Sequence, residues 1–568
     1  MVAVLAAVPA DVASAADPLR TWYVKAGAGD GGRGTSKRPF GTLARVESVS
    51  RPGDRIVIQR ARRKAGALDG GIRLKRRQRL IGAGPAVTAT ARDRAPRLTN
   101  TDPSRVDGDA VRLARRAVVR NLVIAGAVRG GIYGRGATGA KISGNDVSGH
   151  NRSCTPGFHI PPFNVPTTVP GVVVPISDGL RNGWAGIMVD ASRRRGALTI
   201  RRNRVHDADC GDGIDVRVSG SARLRARISR NVASDLRQGP DFESILAFGL
   251  QTREKGRLVA TLDRNRQSGL GNDEDVAAGP EGADSEGVFI NPTGPSNMTV
   301  TVTRNTYEHT RGRGGFSANG LEFVSMGDGT RALVEVRDST FSGTPGDVLE
   351  QLALGTNAHL RLRLDRVEAT RSTGHAESGT GDTVLIPGNN GDCLLSASGG
   401  AGNTVELRVR HSALSDCANN GLTFGSAVAN GSGPTSALIA DVADSRITGN
   451  RGGNLRIGNL SELDLLRVKV ERTNLSASQG ATSTPANLTV EELGTTKSAT
   501  IDLGGGALGS SGGNCLHDGN LAAAVVGYDV HARQNWWGQP EGPAPGRTTT
   551  VGGSLDTGTP LAAPAPGC

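Results

Sequence analysis

The sequence predicts an all-β solenoid, a chain that repeats one short rung of strands many times over. Three observations lead there. The 568 residues include 81 Gly but only 3% aromatics, a supply better suited to thin aliphatic rows and many turns than to a helical globule. A small motif, a polar pair followed by an apolar residue, recurs along the chain. Each copy is flanked by short runs that alternate apolar and polar with the period of a strand. Apolar residues at 37%, with Gly added, make up roughly half the chain, which excludes disorder by composition.

The motif reads "RNLVI" (120–124), "GNDVSG" (144–149), "RNRVHD" (202–207), "RNTYEH" (304–309), "DSTFSG" (338–343), "HSALSD" (411–416) and "DSRITG" (444–449). Ahead of the copies run strands such as "ALTI" (197–200), "RLRARI" (223–228), "MTVTV" (298–302) and "VELRV" (405–409). After them come strands opened by Gly or a small polar residue: "GIMVD" (186–190), "GIDVR" (213–217), "GVFIN" (287–291), "GLEFV" (320–324) and "GLTFG" (421–425). Gly at the strand entrance allows a sharp corner. The polar pair is expected at a second corner, where Asn or Ser bonds its own backbone. Spacing between motifs runs from 24 residues (Asn121 to Asn145) to 46 (Arg366 to Ser412). Fixed strands joined by variable loops are the mark of a solenoid.

The net charge of +13 is unevenly placed. Residues 1–135 hold 27 Lys+Arg against 10 Asp+Glu, and the remaining 433 hold 40 against 44. Two readings of that basic end are open: a footprint for an acidic polymer, or an Arg-rich solvated face. Nucleic acid is not expected, because no recognition motif or aromatic stacking platform accompanies the basic runs. Residues 1–16 read as the remnant of a secretory signal peptide, which places the protein outside the cell. No other segment has the ~20 continuous apolar residues of a membrane helix, so membrane insertion is not expected. The even count of six Cys agrees with export. Neighbours in sequence suggest Cys154–Cys210, Cys393–Cys417 and Cys515–Cys568, among the fifteen pairings that six cysteines allow. A zinc site is not expected, because no CxxC or Cys/His ligand spacing occurs.

At its ends the chain resembles the secreted bacterial right-handed parallel β-helix proteins of the pectate-lyase-like superfamily. "TWYVKAGAGDGGRGTSKRPFGTLARVESVSRPGDRIVIQ" (21–59) looks like their N-terminal cap, and "NWWGQPEGP" (535–543) like their closing segment. The resemblance implies an all-β, right-handed parallel β-helix with a short N-terminal cap containing a helix. The cap and first rungs would occupy 17–110, and the β-helix 111–500 with insertions at 154–186 and 271–287. C-terminal rungs and the closing segment would occupy 501–568. Trp536 and Trp537 are expected to seal the open end.

Stacking the Gly-opened strands places Met188, Asp215, Gln251, Phe289 and Glu322 in one outward row. The next row holds Asp190, Arg217, Arg253 and Asn291, if "FGLQTR" (248–253) forms the intervening rung. Asp190, Asp215, Arg217 and Arg253 then share one patch, and two readings of it are open. It is either a charged ladder that keeps an exposed sheet soluble or a site for an acidic polysaccharide. In the lyases of the superfamily, carboxylate-held calcium neutralises a uronate while Arg or Lys takes the adjacent proton. That resemblance implies Arg217 or Arg253 as base and Asp190, Asp212 and Asp215 as calcium ligands. Substrate contacts would come from Asp190, Asp215, Gln251, Asn291 and Glu322, with Trp184 and His159 from the insertion. The "GDD" and "GHG" motifs of polygalacturonase-type hydrolases and the "RxPxxR" block of pectate lyases are absent, so the resemblance supports the fold more than one activity.

The Pro-rich insertion 154–186 carries Phe158, His159, Phe163 and Trp184. It either walls a sugar groove or covers a core edge. The acidic stretch 271–287 gathers Asp273, Glu274, Asp275, Glu281, Asp284 and Glu286. It is either a calcium loop or a solvated one. His206 beside Asp207 reads as structural, with no nucleophile to complete a triad. The expectation is a secreted, monomeric, carbohydrate-active protein, a lyase or hydrolase on an acidic polysaccharide. The alternative is a non-catalytic surface, matrix or carbohydrate-binding β-helix.

Overall fold

A computed structural model describes residues 19–568 except 62–65, 161, 167–172, 177–178, 240–241, 243, 272–283, 311–317, 374–390, 427–435, 460 and 480–485. The architecture is a right-handed parallel β-helix. Each full rung has three strands, for example Ile187–Ala191, Arg195–Arg201 and Arg204–Ala208, followed by Ile214–Val218, Arg223–Ser229 and Val232–Leu236. Equivalent strands pair in parallel, Ile187 with Ile214, Leu198 with Ala226, Val205 with Ala233. We call the three stacks the first, second and third faces, in the order of those strands. Among the described residues the first face belongs to a sheet of 17 strands. The second and third merge into one of 26, because Arg331–Ser342 and His359–Thr370 run through the corner between them. Inward residues such as Ile187, Val189, Ile214, Val216, Phe248 and Leu250 are buried and form one continuous core.

The Arg-Asn motif makes the corner between the second and third faces. Arg202, Arg230, Arg264 and Arg304 take φ of 53°, 56°, 55° and 53°, the left-handed region, and swing the following Asn inward. There the side chains form a buried ladder. The Asn203 amide donates to Asn231 Oδ1 at 3.0 Å and the Asn231 amide to Asn265 Oδ1 at 3.1 Å. Asn305 continues it by accepting from the Asn265 backbone, and Ser339 Oγ accepts from the Asn305 backbone in turn. The Ser copies make the expected bond to their own backbone, Ser339 Oγ donating to the Arg337 carbonyl at 2.8 Å and Ser412 Oγ to the Arg410 carbonyl at 2.7 Å, whereas Asn203 and Asn231 bond across to neighbouring rungs. A primary amide in a dry core needs both donors and acceptor satisfied: the next Asn takes one donor, and a main-chain carbonyl of the preceding rung, Ile142 for Asn203 and Ile200 for Asn231, takes the other.

The cap holds the strand Thr21–Val24, the helix Leu43–Val49 started by Thr42, and the strand Arg55–Ile58. Trp22 stacks on Phe40 and donates to Asp54 at 2.8 Å. At the other end Trp537 is buried in the core. The three disulfides are Cys154–Cys210, Cys393–Cys417 and Cys515–Cys568, as neighbouring positions suggested.

Candidate functional site

Outward positions on the first face form two rows. Met188, Asp215, Gly249, Phe289 and Glu322 stack in one, and Asp190, Arg217, Gln251 and Asn291 in the other. The strand Ser244–Thr252 therefore sits two residues away from its expected register. Gln251 belongs beside Arg217, and Arg253 lies beyond the row. The physical reason is local: the residue over Asp215 must lack a side chain, since a Cβ at Gly249 would come within 2.6 Å of Asp215 Oδ1.

Asp190 and Arg217 form a two-pronged ion pair, with Nε–Oδ1 at 2.6 Å and Nη2–Oδ2 at 3.0 Å. The Tyr133 hydroxyl donates to Asp190 Oδ2 at 2.8 Å, and Arg217 Nη1 donates to the Gly157 carbonyl at 2.7 Å. Gln251 donates to Asn291 Oδ1 at 2.8 Å and to the His159 carbonyl at 3.2 Å, and Arg253 donates to that same carbonyl. Tyr133, Asp190, Arg217, Gln251 and Arg253 line a cavity of about 350 Å³. Burial alone would lower the Arg217 guanidinium, but Asp190 holds it above the ordinary arginine value. Arg217, one of the two residues expected as base, is thus tied to Asp190. Arg253 is lowered, first by burial and then by the Arg217 charge.

Asp215 faces outward as expected but is fully covered, as is Asp212 at the corner before it. Burial pushes both carboxyls up, and the Asp215 charge raises Asp212 further. Asp212 Oδ1 accepts the Leu246 amide at 2.9 Å. Among the described residues no three His, Cys, Asp or Glu side chains are grouped to hold a metal ion. The expected calcium set of Asp190, Asp212 and Asp215 is therefore not assembled. In the acidic stretch Asp273, Glu274, Asp275 and Glu281 lie outside the described residues.

The insertion covers part of the first face. Ile160 and Leu180 pack in one apolar cluster with Leu246 and Phe289, while the Gly157 and His159 carbonyls close over the arginines. His159 reaches the pocket through that carbonyl. Trp184 is held edge-to-face on Tyr133 at 5.0 Å with Arg129 over its ring at 4.2 Å, one step aside from the cavity lining. Phe158 and Phe163 have no described side chains. His206 is buried between Asp146 and Asp207, at 3.2 and 2.6 Å.

Farther along the same face lies a second group, of which the expectations named only Glu322 as a site residue. Glu322 and Glu350 are register partners, so their Cα atoms are about 4.8 Å apart. Asp347 and Asp392 occupy successive corners, where Asp347 Oδ1 accepts the Asp392 amide at 2.7 Å and Asp392 Oδ1 the Asn420 amide at 2.8 Å. The Asn319 side chain donates to Glu350. All four carboxyls are buried, as is Glu286 on a neighbouring rung. Burial raises both aspartates, and the Asp392 charge adds to the rise at Asp347. A signal for them stood in the sequence. "DGID" (212–215), "NGLE" (319–322), "DVLE" (347–350), "DCLL" (392–395) and "NGLT" (420–423) all open first-face strands. They set a polar corner residue three before the first outward position. In the last copy the two touch directly, Asn420 donating to Thr423 at 3.1 Å.

No family model and no curated protein matches the chain. Solved structures with some likeness include pectate lyase Pel9A, at 10% identity over 86% of this chain and 80% of that one, TM-score 0.24. The periplasmic alginate epimerase AlgG matches at 10% identity over 68% and 79%, TM-score 0.27. A lacto-N-biosidase of family GH136 from Eubacterium ramulus matches at 9% over 84% and 67%, TM-score 0.27. Likenesses this distant bear on no individual residue.

Proposed function

We propose that this chain is a secreted carbohydrate-active enzyme that hydrolyses an acidic polysaccharide laid along the first face. The observation that carries the reading is the buried group Glu322, Asp347, Glu350 and Asp392, in which burial keeps Asp347 and Asp392 protonated to higher pH than an ordinary carboxyl. Glycoside hydrolysis needs one carboxyl that keeps its proton and another that is ionised, flanking one bond. Here Asp392 is the proton donor, and Glu322 or Glu350 activates water or attacks. Arg253, whose guanidinium bonds the His159 carbonyl, supplies counter-charge for an anionic sugar chain on one side of the group, while Arg217 and Arg456 are held by Asp190 and Glu491. Three disulfides fit an oxidising, extracellular compartment. Among the described residues no helix is long and apolar enough to cross a membrane.

A second reading, a lyase, is favoured by one observation: of Arg217 and Arg253, Arg253 is the one whose proton is held less tightly, through burial and the neighbouring Arg217 charge. Both readings are tested by incubating the protein with a panel of acidic polysaccharides. New reducing ends without ultraviolet-absorbing unsaturated products are expected. Unsaturated products would replace hydrolysis with the lyase reading. No product from any polymer would leave a non-catalytic binding protein.

A further inference from the structure

The second face carries a feature that the proposed hydrolysis does not use. Its outward rows pair Arg79 with Val118, Lys141 and Thr199 beyond them, then Arg227. The adjoining row runs Ile81, Arg120, Ser143, Arg201 and Ser229. Cations and small or apolar neutral residues alternate in both rows, out of step with each other. Within these two rows each of five successive rungs carries one positive charge, from Arg79, Arg120, Lys141, Arg201 and Arg227 in turn, on alternate sides of a line, and Arg116 adds a second on the rung of Arg120. Along the corner beside them Arg202, Arg230, Arg264 and Arg304 follow on consecutive rungs. These residues line a groove of about 1190 Å³ whose one acidic member, Asp263, is engaged by Arg304 Nε at 3.0 Å. None of the lining residues is aromatic. Among the described residues the five zigzag cations have no ion-pair partner, and the Arg120 Nε is buried without an acceptor.

We propose that this groove binds an anionic polysaccharide with one charged group per sugar, running along the solenoid axis. The argument is charge complementarity with a period. Rungs repeat every ~4.8 Å, close to the length of one 1→4-linked pyranose. In a ribbon-like chain whose successive sugars are turned by half a turn, the acidic groups point to alternate edges, as the cations do. Single-stranded nucleic acid is less well served, because its bases need aromatic platforms. The site is separate from the carboxyl group on the first face and would hold the polymer without cleaving it.

The test is calorimetric titration of the full chain with oligogalacturonates of increasing length at several salt concentrations. Affinity is expected to rise with length up to about five charges, one per rung, and to fall steeply with salt. The triple variant Lys141→Ser, Arg201→Ser, Arg227→Ser, all exposed, is expected to melt like the wild type and bind at least about tenfold more weakly. Affinity within twofold of wild type would overturn the proposal. So would tighter binding of single-stranded DNA of equal charge at the same salt. The triple variant changes nothing on the first face, so it is expected to keep any cleavage of oligomers that the wild type shows; loss of binding and loss of cleavage are therefore read separately, and either reading can fail alone.

Discussion

The Asp190–Arg217 pair gives the sharpest energetic prediction. The two side chains are 22% and 24% exposed and share two hydrogen bonds of 2.6 and 3.0 Å. Asp190→Asn leaves a mostly buried guanidinium without a counter-charge. For a fully buried pair that costs about 3–5 kcal/mol, and partial exposure reduces it to roughly 2–3 kcal/mol. Arg217→Met strands the carboxylate, with the Tyr133 hydroxyl as a remaining donor, at roughly 2 kcal/mol. The double variant removes both charges together, so its cost is expected to be no greater than the larger single one. The coupling energy is then about 2 kcal/mol. Urea unfolding of the four proteins at neutral pH measures it. Coupling below about 0.5 kcal/mol, the range of many exposed pairs, would refute the view that Arg217 is locked by Asp190.

The corner ladder predicts that Asn231→Ala costs roughly 3–4 kcal/mol, since it strands the Ile200 carbonyl and the Asn203 amide in the core. Arg230→Gly, at a φ of 56°, is expected to stay within about 1 kcal/mol, and urea midpoints separate the two. For Asp347 and Asp392 the folded state binds protons more tightly than the unfolded one. Their contribution is complete below the ordinary carboxyl value and is lost as pH rises through the raised one. Wild-type melting temperature should therefore fall across that window, and the Asp347→Asn variant should fall less; parallel curves would contradict the shift. Replacing Cys154 and Cys210 by Ser opens a loop spanning 56 residues and should cost about 4 kcal/mol by chain entropy, read as a loss in unfolding midpoint.

The fold could be read because one requirement repeats at every rung. A left-handed corner followed by an inward amide leaves an Arg-Asn or Asp-Ser pair that no loop insertion disturbs. The register of 244–252 could not be read in the same way. A slip of two residues keeps every apolar side chain facing inward, so alternation does not distinguish Gly249 from Gln251 over Asp215. The space around Asp215 decides it, and that exists only in three dimensions. Asp190 and Arg217 were legible as neighbours because their strands are adjacent in sequence with unambiguous Gly entries. Asp347 and Asp392 were hidden by their position, where an Asp before a strand reads as turn chemistry. Only stacking several rungs reveals that these turns converge on Glu322 and Glu350.

The account's central claim is that carboxyls on the first face, rather than arginines, carry the proton transfers. It is tested most directly by turnover of Asp392→Asn on whichever acidic polysaccharide the wild type cleaves. The variant's side-chain oxygen can still accept the Asn420 amide that Asp392 Oδ1 accepts at 2.8 Å, so the corner is expected to fold. The account predicts a rate reduced about hundredfold or more, the loss that follows removal of a general acid. A folded variant that keeps its rate within about threefold, well inside that loss, would contradict it.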